Sequence, residues 1–373
     1  MRSRRLALLL GGVGLVLPVL TAPSAAAART AAVTTYTYVD LGWLAPDPAG
    51  TPRSGALDVN ERRQVVGNSS NEQDTSAHAF LWQDGAMTAL GAILPGGSSS
   101  ASAVNDHGDV VGQTHVSTYE PSHAFLYRDG RMTDLGTGWG SGSRSFAEDI
   151  NNDGVVVGQR GRTGSSPTRA VLWKDGVLRD LGTLGGRSTD PFSTESEAHA
   201  VNDKGQVVGA ALPRTGYPLH GFLWEDGRMR DIGSLGGTTG ATVAYDVNER
   251  TQVVGHSQNG AGQMSAFLWE GGVMRDLGVL PGGTGSVAYG INEAGQVVGT
   301  SRTNDGYYGQ HAFVWQDGRM TDLNAVTTNL PGDVSLELAH SINDEGVIAG
   351  QTCYYCESGK TAAPRAFLLI PNS

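Results

Sequence analysis

Ile291-Asn292-Glu293-Ala294-Gly295-Gln296-Val297-Val298-Gly299, then after a loop His311-Ala312-Phe313-Val314-Trp315-Gln316-Asp317-Gly318-Arg319-Met320-Thr321-Asp322-Leu323, is a unit that returns in variant form along most of the chain. It reads as four short strands. The first ends at the Asn. A tight Asn-x-x-Gly turn leads to Val-Val-Gly, whose adjacent apolar residues imply burial on both faces. The third strand, His-Ala-Phe-Val-Trp, is joined to the fourth, Arg-Met-Thr-Asp-Leu, by Asp-Gly, the strongest short hairpin signal between apolar strands. One unit is too small to bury a core alone, so the units must pack on one another.

Working outward, the marker Ala-x-x-Val/Ile-Asn locates seven units, at Asn60, Asn105, Asn151, Asn202, Asn248, Asn292 and Asn343, spaced 44 to 51 residues apart. The Ala is constant (Ala56, Ala101, Ala147, Ala198, Ala244, Ala288, Ala339), and a small side chain suits an innermost strand where blades converge. Arg63 and Thr251 replace the turn Gly in two units, so those turns must differ or carry strain. The seventh unit stops at Ala366-Phe367-Leu368-Leu369 without a fourth strand, while Tyr38-Val39-Asp40-Leu41-Gly42 precedes the first marker as a strand without a unit. One missing strand and one orphan strand predict a ring closed by pairing of the two ends. The expected fold is all-β: a seven-bladed β-propeller of four-stranded blades, closed by the N-terminal strand in the last blade.

His78-Ala79-Phe80-Leu81-Trp82, the related strands at His123, His220 and His311, and the linked Asn-Asp-x-Gly, Val-Val-Gly and Asp-Leu-Gly pieces resemble the HAF repeats of extracellular proteins. The resemblance covers roughly residues 37–370. It departs at Arg169, Ser265 and Arg365, where the His is replaced, and at Tyr127, where the Trp is. It implies a secreted, β-rich repeat protein and transfers no catalytic residue.

Residues 1–28 carry Arg2, Arg4 and Arg5, an apolar run and an Ala-x-Ala pattern, and read as a secretion signal; Sec and twin-arginine export both stay open. Residues 29–373 are then one propeller domain, with no further run able to span a bilayer. Losing the three signal arginines takes the formal charge from −11 to −14, which argues against a nucleic-acid partner. Cys353 and Cys356 are the only cysteines and, in an oxidising compartment, are expected to close a local disulfide. A monomer is expected.

Variable loops follow the second strands at 68–77, 113–122, 159–168, 210–219, 256–264, 300–310 and 351–364, so the face bearing them is the expected working face. They carry Tyr119, Tyr217, Tyr307, Tyr308, Tyr354 and Tyr355, and the crossovers between units add Trp43, Trp139 and Phe192. Three residues before each marker Asn stand Leu57, Ser102, Glu148, His199, Tyr245, Tyr289 and His340. Strand alternation places them opposite the constant Ala, near the loop-side end of the innermost strands. Glu148, His199, Tyr245, Tyr289 and His340 are the candidate ligand-binding residues at the channel mouth, with inter-blade packing as the alternative. The repeated histidines occupy equivalent places on different blades, too far apart to share one ion, so no metal site is expected. Asp149-Ile150-Asn151-Asn152-Asp153-Gly154 copies the start of a calcium loop but has Arg160 where the closing Glu belongs, and reads as an acidic turn. No phosphate loop, dinucleotide fingerprint or nucleophile elbow is present, and no cofactor is expected. The function expected is a non-catalytic binding or scaffold protein presenting loops to an extracellular glycan or protein. The alternative is a propeller hydrolase or lyase acting on polysaccharide, with Glu148, His199 and His340 as acid–base candidates.

Overall fold

In the computed structural model of the protein each Asp-Gly pair makes a hairpin with both residues in the left-handed region, as at Asp84 (φ 50°) and Gly85 (φ 86°), and Gly271-Gly272 does the same at 58° and 91°. The structure describes residues 34–44, 53–70, 77–115, 121–140, 142–162, 165–185, 195–214, 218–237, 240–303, 309–352 and 363–372. Cys353, Cys356, Phe192 and all six loop tyrosines lie outside them, as do residues 1–28.

The strands form seven four-stranded antiparallel sheets. Blade 1 is Arg53–Val59, Val65–Ser70, His78–Gln83 and Ala86–Ala89, and five further blades follow the same order along the chain. Blade 7 takes Leu336–Ile342, Ile348–Thr352 and Ala366–Pro371 from the C-terminal end and Tyr36–Asp40 from the N-terminal end, with Tyr38 opposite Leu369. The protein is a seven-bladed β-propeller closed as the orphan strand required. The outer edge of Tyr36–Asp40 is itself covered: Thr328 donates to the Tyr36 carbonyl (2.8 Å), and the Asn329 side chain bonds both the amide and the carbonyl of Tyr38 (2.8 and 3.0 Å). The single helix among the described residues, Leu323–Val326, opens the crossover that brings Asn329 there, and none is long and apolar enough to cross a membrane.

The repeated residues hold blade to blade. Each marker Asn donates from Nδ2 to the carbonyl of the next marker Asn, 2.8–3.1 Å, and Asn343 donates to Asn60, completing a buried ring of seven bonds. A second ring surrounds it. The amide after each marker donates to the side chain at the same position one blade on, from Glu61 and Asp106 round to Asp344 and Glu61, at 2.5–3.0 Å. The Phe of the third strand is fully buried in six blades (Phe80, Phe125, Phe222, Phe267, Phe313, Phe367) and packs between sheets.

The motif histidines explain themselves against the fourth strand. His123, His220 and His311 bond Asp134, Asp231 and Asp322 through Nδ1 at 2.7–2.8 Å. Where Arg stands instead, the partner is kept: Arg169 bonds Asp180 (2.9 Å) and Arg365 bonds Asp40 (2.7 Å). The carboxylates of Asp40, Asp134, Asp180, Asp231 and Asp276 also accept the amide of the Gly two residues on. His-Ala-Phe and Asp-Leu-Gly are thus two halves of one clamp on the third and fourth strands.

The two turns lacking Gly do not differ; they carry strain. Arg63 (φ 57°) and Thr251 (φ 61°) adopt the left-handed conformation that Gly108, Gly205 and Gly295 take elsewhere. Thr251 recovers part of the cost through a bond from its hydroxyl to Gln206 on the preceding blade (3.0 Å). Thr251→Gly is expected to stabilise the propeller by about 1 kcal/mol, since relief of a β-branched left-handed residue exceeds the added chain entropy. Chemical denaturation checks this; an unchanged or lower midpoint means the lost hydroxyl bond outweighs the strain.

Candidate functional site

The seven residues three before the markers are brought together, by a device that simple alternation does not contain. In every blade the pairing of first and second strands slips at this position: Ala56 pairs with Gly67 but Asp58 with Val66, and the same shift occurs after Ala101, Ala147, Ala198, Ala244, Ala288 and Ala339. Leu57, Ser102, Glu148, His199, Tyr245, Tyr289 and His340 are therefore the extra residues of seven β-bulges. On four of the blades the bulge leaves two successive residues incompletely buried. Leu57 and Asp58 are both half-buried while Ala56 and Val59 are buried, and the same holds for Glu148 with Asp149 and Tyr245 with Asp246. It also sets the candidates deeper than the channel mouth. His199 is the fourth residue of Ser196–Val201 and Tyr245 the fourth of Thr242–Val247, so they sit midway along the lumen rather than at its loop-side end.

The bulge explains the invariant Gly of Val-Val-Gly. The carbonyl two residues before the bulge is pushed against the second strand, so a Cβ on Gly67, Gly112, Gly158, Gly209, Gly255, Gly299 or Gly350 would lie 1.9–2.1 Å from it. Only Gly permits the approach.

Four of the five candidates form a continuous arc of rings across blades 4 to 7. His199 stacks on Tyr245 (centroids 5.2 Å, interplanar angle 24°), Tyr245 meets Tyr289 at 5.3 Å, and Tyr289 meets His340 at 5.4 Å. A fifth ring, His256 from the second strand of blade 5, abuts Tyr245 at 5.5 Å. Glu148 stands on blade 3 at the end of the arc and takes a long bond from Gln159 (3.5 Å). Leu57 and Ser102 complete the circle on blades 1 and 2 without an aromatic or ionisable group.

Anchoring within the arc is uneven. His199 bonds the Ala244 carbonyl through Nδ1 (2.8 Å) and lies 3.8 Å from Glu197, whose carboxylate takes the Thr168 hydroxyl (3.1 Å). Burial alone would lower the His199 pKa, but Glu197, Glu148 and the Ala244 carbonyl outweigh it and hold it above its ordinary value. His256 and His340 have no such support. Burial drives both down to about 4, with His199 adding to the effect on His256, so both are neutral at neutral pH. Burial lifts the Tyr245 hydroxyl to about 12. Among the described residues neither the Tyr245 and Tyr289 hydroxyls nor the His340 nitrogens have a protein hydrogen-bond partner, and His256 Nδ1 is buried without one.

Three carboxylates stand one residue beyond the bulge on the innermost strands. Asp58, Asp149 and Asp246, on alternate blades, each accept their own following amide and one from the next blade: Val104, Val201 and Ile291, at 2.8–2.9 Å. Burial raises all three, Asp149 to about 8 and Asp246 to about 7, with the other carboxylates adding to the rise. Asp149 and Asn151 thus spend their oxygens on the amides of Ile150, Val201 and Val155, which accounts for the acidic turn 149–154 as part of the blade joint. Glu197 and His256 were also beyond the marker pattern. The available signal for Glu197 was its place two residues before His199, on the same strand face. Among the described residues no group of three His, Cys, Asp or Glu side chains is arranged to hold a metal.

No protein-family model matches this sequence, and a search of curated proteins finds none that matches. Solved structures share the fold. A Mycobacterium tuberculosis puromycin-hydrolysing peptidase is 14% identical with a TM-score of 0.54, over 85% of this chain and 52% of that one. The β-propeller domain of the Trilobed protease from Pyrococcus furiosus is 12% identical with a TM-score of 0.50, over 76% of this chain and 85% of that one. An Aleuria aurantia lectin superposes at a TM-score of 0.34 with 10% identity. The chain spans about half the length of the peptidase, and at these identities the likeness is one of fold.

Proposed function

We propose that this is a secreted, non-catalytic binding propeller of the HAF-repeat type, and that it holds an extracellular glycan against the ring arc of the lumen. The observation that carries the reading is the arc itself: adjoining rings among which the Tyr245 and Tyr289 hydroxyls and the His340 nitrogens have no protein partner among the described residues. Rings of this kind cover the apolar face of a sugar while their polar tips bond its hydroxyls. Interior packing alone would have selected partnered or apolar side chains at these positions.

A glycan array with wild-type protein, Tyr289→Ala and His199→Ala is the test. The expected result is saccharide binding by the wild type, weakened about tenfold or more by Tyr289→Ala, with no product from any bound glycan. Absence of binding across polymeric and oligomeric glycans, with an extracellular protein captured instead, makes the ligand a protein. A second reading, an acid–base polysaccharide enzyme, draws on the Glu197–His199 contact, in which a carboxylate and an imidazole of raised pKa share the lumen with Glu148. Release of reducing ends or unsaturated products by wild type, lost in His199→Ala, decides for it.

A further inference from the structure

The ligand implied by the lumen has a definite charge. We propose that the group seated against Tyr245 and Tyr289 is a protonated amine, carried by a deacetylated amino sugar; the inference rests on the glycan-binding reading and narrows it.

The arc offers acceptors to a ligand: the phenolic oxygens of Tyr245 and Tyr289 and the lone pairs of two imidazoles. Tyrosine faces present the negative lobe of the ring quadrupole, and the adjoining Tyr245 and Tyr289 rings favour a cation over their faces. The two rings beside them, His256 and His340, are neutral imidazoles, each with a lone pair to give. Around these rings stand carboxylates. Glu148 and Glu197 flank the arc on blades 3 and 4, and Asp58, Asp149 and Asp246 follow one residue further along the innermost strands. The opposing charges are His199 and, nearer the loop side, Arg53 and Arg144. The Arg144 guanidinium rests over the Phe146 ring at 5.7 Å and lies close enough to Glu197 to favour its ionised form. An ammonium group brings three donors and a positive charge, which matches acceptors, rings and carboxylates together. A carboxylate or sulfate ligand would meet the carboxylates of Glu148 and Glu197 on blades 3 and 4. A neutral N-acetyl sugar would bring no charge to them.

The experiment titrates the full chain calorimetrically with glucosamine hexamer, its fully N-acetylated counterpart and n-butylammonium, at low and physiological salt. Wild type, Tyr245→Leu, Tyr245→Phe and Glu197→Gln are compared, with a thermal melt of each to establish folding. The expected result is binding of the glucosamine hexamer at least about tenfold tighter than of the acetylated one. Tyr245→Leu and Glu197→Gln should lose most of that margin, and Tyr245→Phe, which keeps the ring face, should retain it. Equal or tighter binding of the acetylated hexamer overturns the ammonium assignment and leaves the glycan reading standing. Binding of butylammonium without either hexamer upholds the ammonium site and overturns the glycan reading. Undiminished hexamer binding by Tyr245→Leu places the polycation on the acidic exterior and overturns the proposal, as does no binding of any probe by folded wild type.

Discussion

Deletion of residues 35–42 is expected to convert the protein from a monodisperse species into aggregate, or to lower its melting temperature by tens of degrees. This segment contributes one of the 28 strands among the described residues but closes the ring. It buries Tyr36 (0% exposed), Tyr38 (7%) and Leu41 (5%), which at about 1.5–3 kcal/mol for a fully buried large side chain is comparable to the whole stability of an ordinary domain. Its neighbours lose partners too. Ser54 on blade 1 donates to the Gly42 carbonyl (2.6 Å) and accepts the Ala366 amide of blade 7 (3.0 Å), so the joint between first and last blades loosens. The crossover 327–329 loses the backbone of Tyr36 and Tyr38. The strand left behind, Ala366–Pro371, would present an unpaired edge bearing Phe367, Leu368 and Leu369, a template for intermolecular pairing. Size-exclusion chromatography and a thermal melt read the outcome, and a synthetic peptide of residues 35–42 added during refolding should restore part of the monomer. A deletion variant that melts with the wild type would mean that the ring is held by its other joints and that the closing strand is dispensable.

Closure was legible in the sequence because it is a matter of counting: seven markers, one unit lacking a strand, one strand lacking a unit. The hairpins were legible because Asp-Gly demands a left-handed backbone, and Asp84, Asp129, Asp175, Asp226 and Asp317 all have it. The lumen was only half legible. The variable position three before each marker does line it, and His199, Tyr245, Tyr289 and His340 do meet. Their depth was missed, and so was the role of Asp58, Asp149 and Asp246, for one physical reason. Alternation assumes one residue per pleat, and each innermost strand carries one residue too many, so every later assignment shifts by one. The invariant Gly of Val-Val-Gly was the trace of that bulge. As a sequence feature it read as part of a buried strand; only the 1.9–2.1 Å approach of a carbonyl gives it a cause. His256 was hidden differently: it is the residue after Val-Val-Gly in blade 5, a position filled by Asn68, Gln113, Gln159, Ala210, Thr300 and Gln351 in the others, and nothing in that series marks a lumen wall.

The bulge makes the second large prediction, which ties fold to site. Gly209→Ala adds a single methyl group that would stand 2.0 Å from the Glu197 carbonyl and 2.9 Å from the Ala198 Cα, both backbone atoms of the innermost strand of blade 4. No rotamer relieves a Cβ, so the strands must part by about 1 Å or the bulge must be lost. Overpacking of this kind costs about 1–3 kcal/mol and more where backbone must move, which in a domain of this size lowers the melting temperature by about 2–5 °C. Gly260→Ala is the matched control: a Cβ there meets nothing within 4 Å, and its melt should stay with the wild type. The functional consequence separates this from ordinary destabilisation. Glu197 and His199 flank the displaced backbone, and the His199–Tyr245 stack at 5.2 Å has no slack to absorb the shift. Gly209→Ala should therefore lose saccharide binding well below its melting temperature, where circular dichroism still shows a folded sheet. The equivalent change in blade 1, Gly67→Ala, should cost similar stability, because a Cβ there lies 1.9 Å from the Gly55 carbonyl. It should cost less binding, because the bulge it disturbs carries Leu57. Equal binding losses in the two variants would mean that the arc on blades 4 to 7 is not the part of the lumen that meets the ligand.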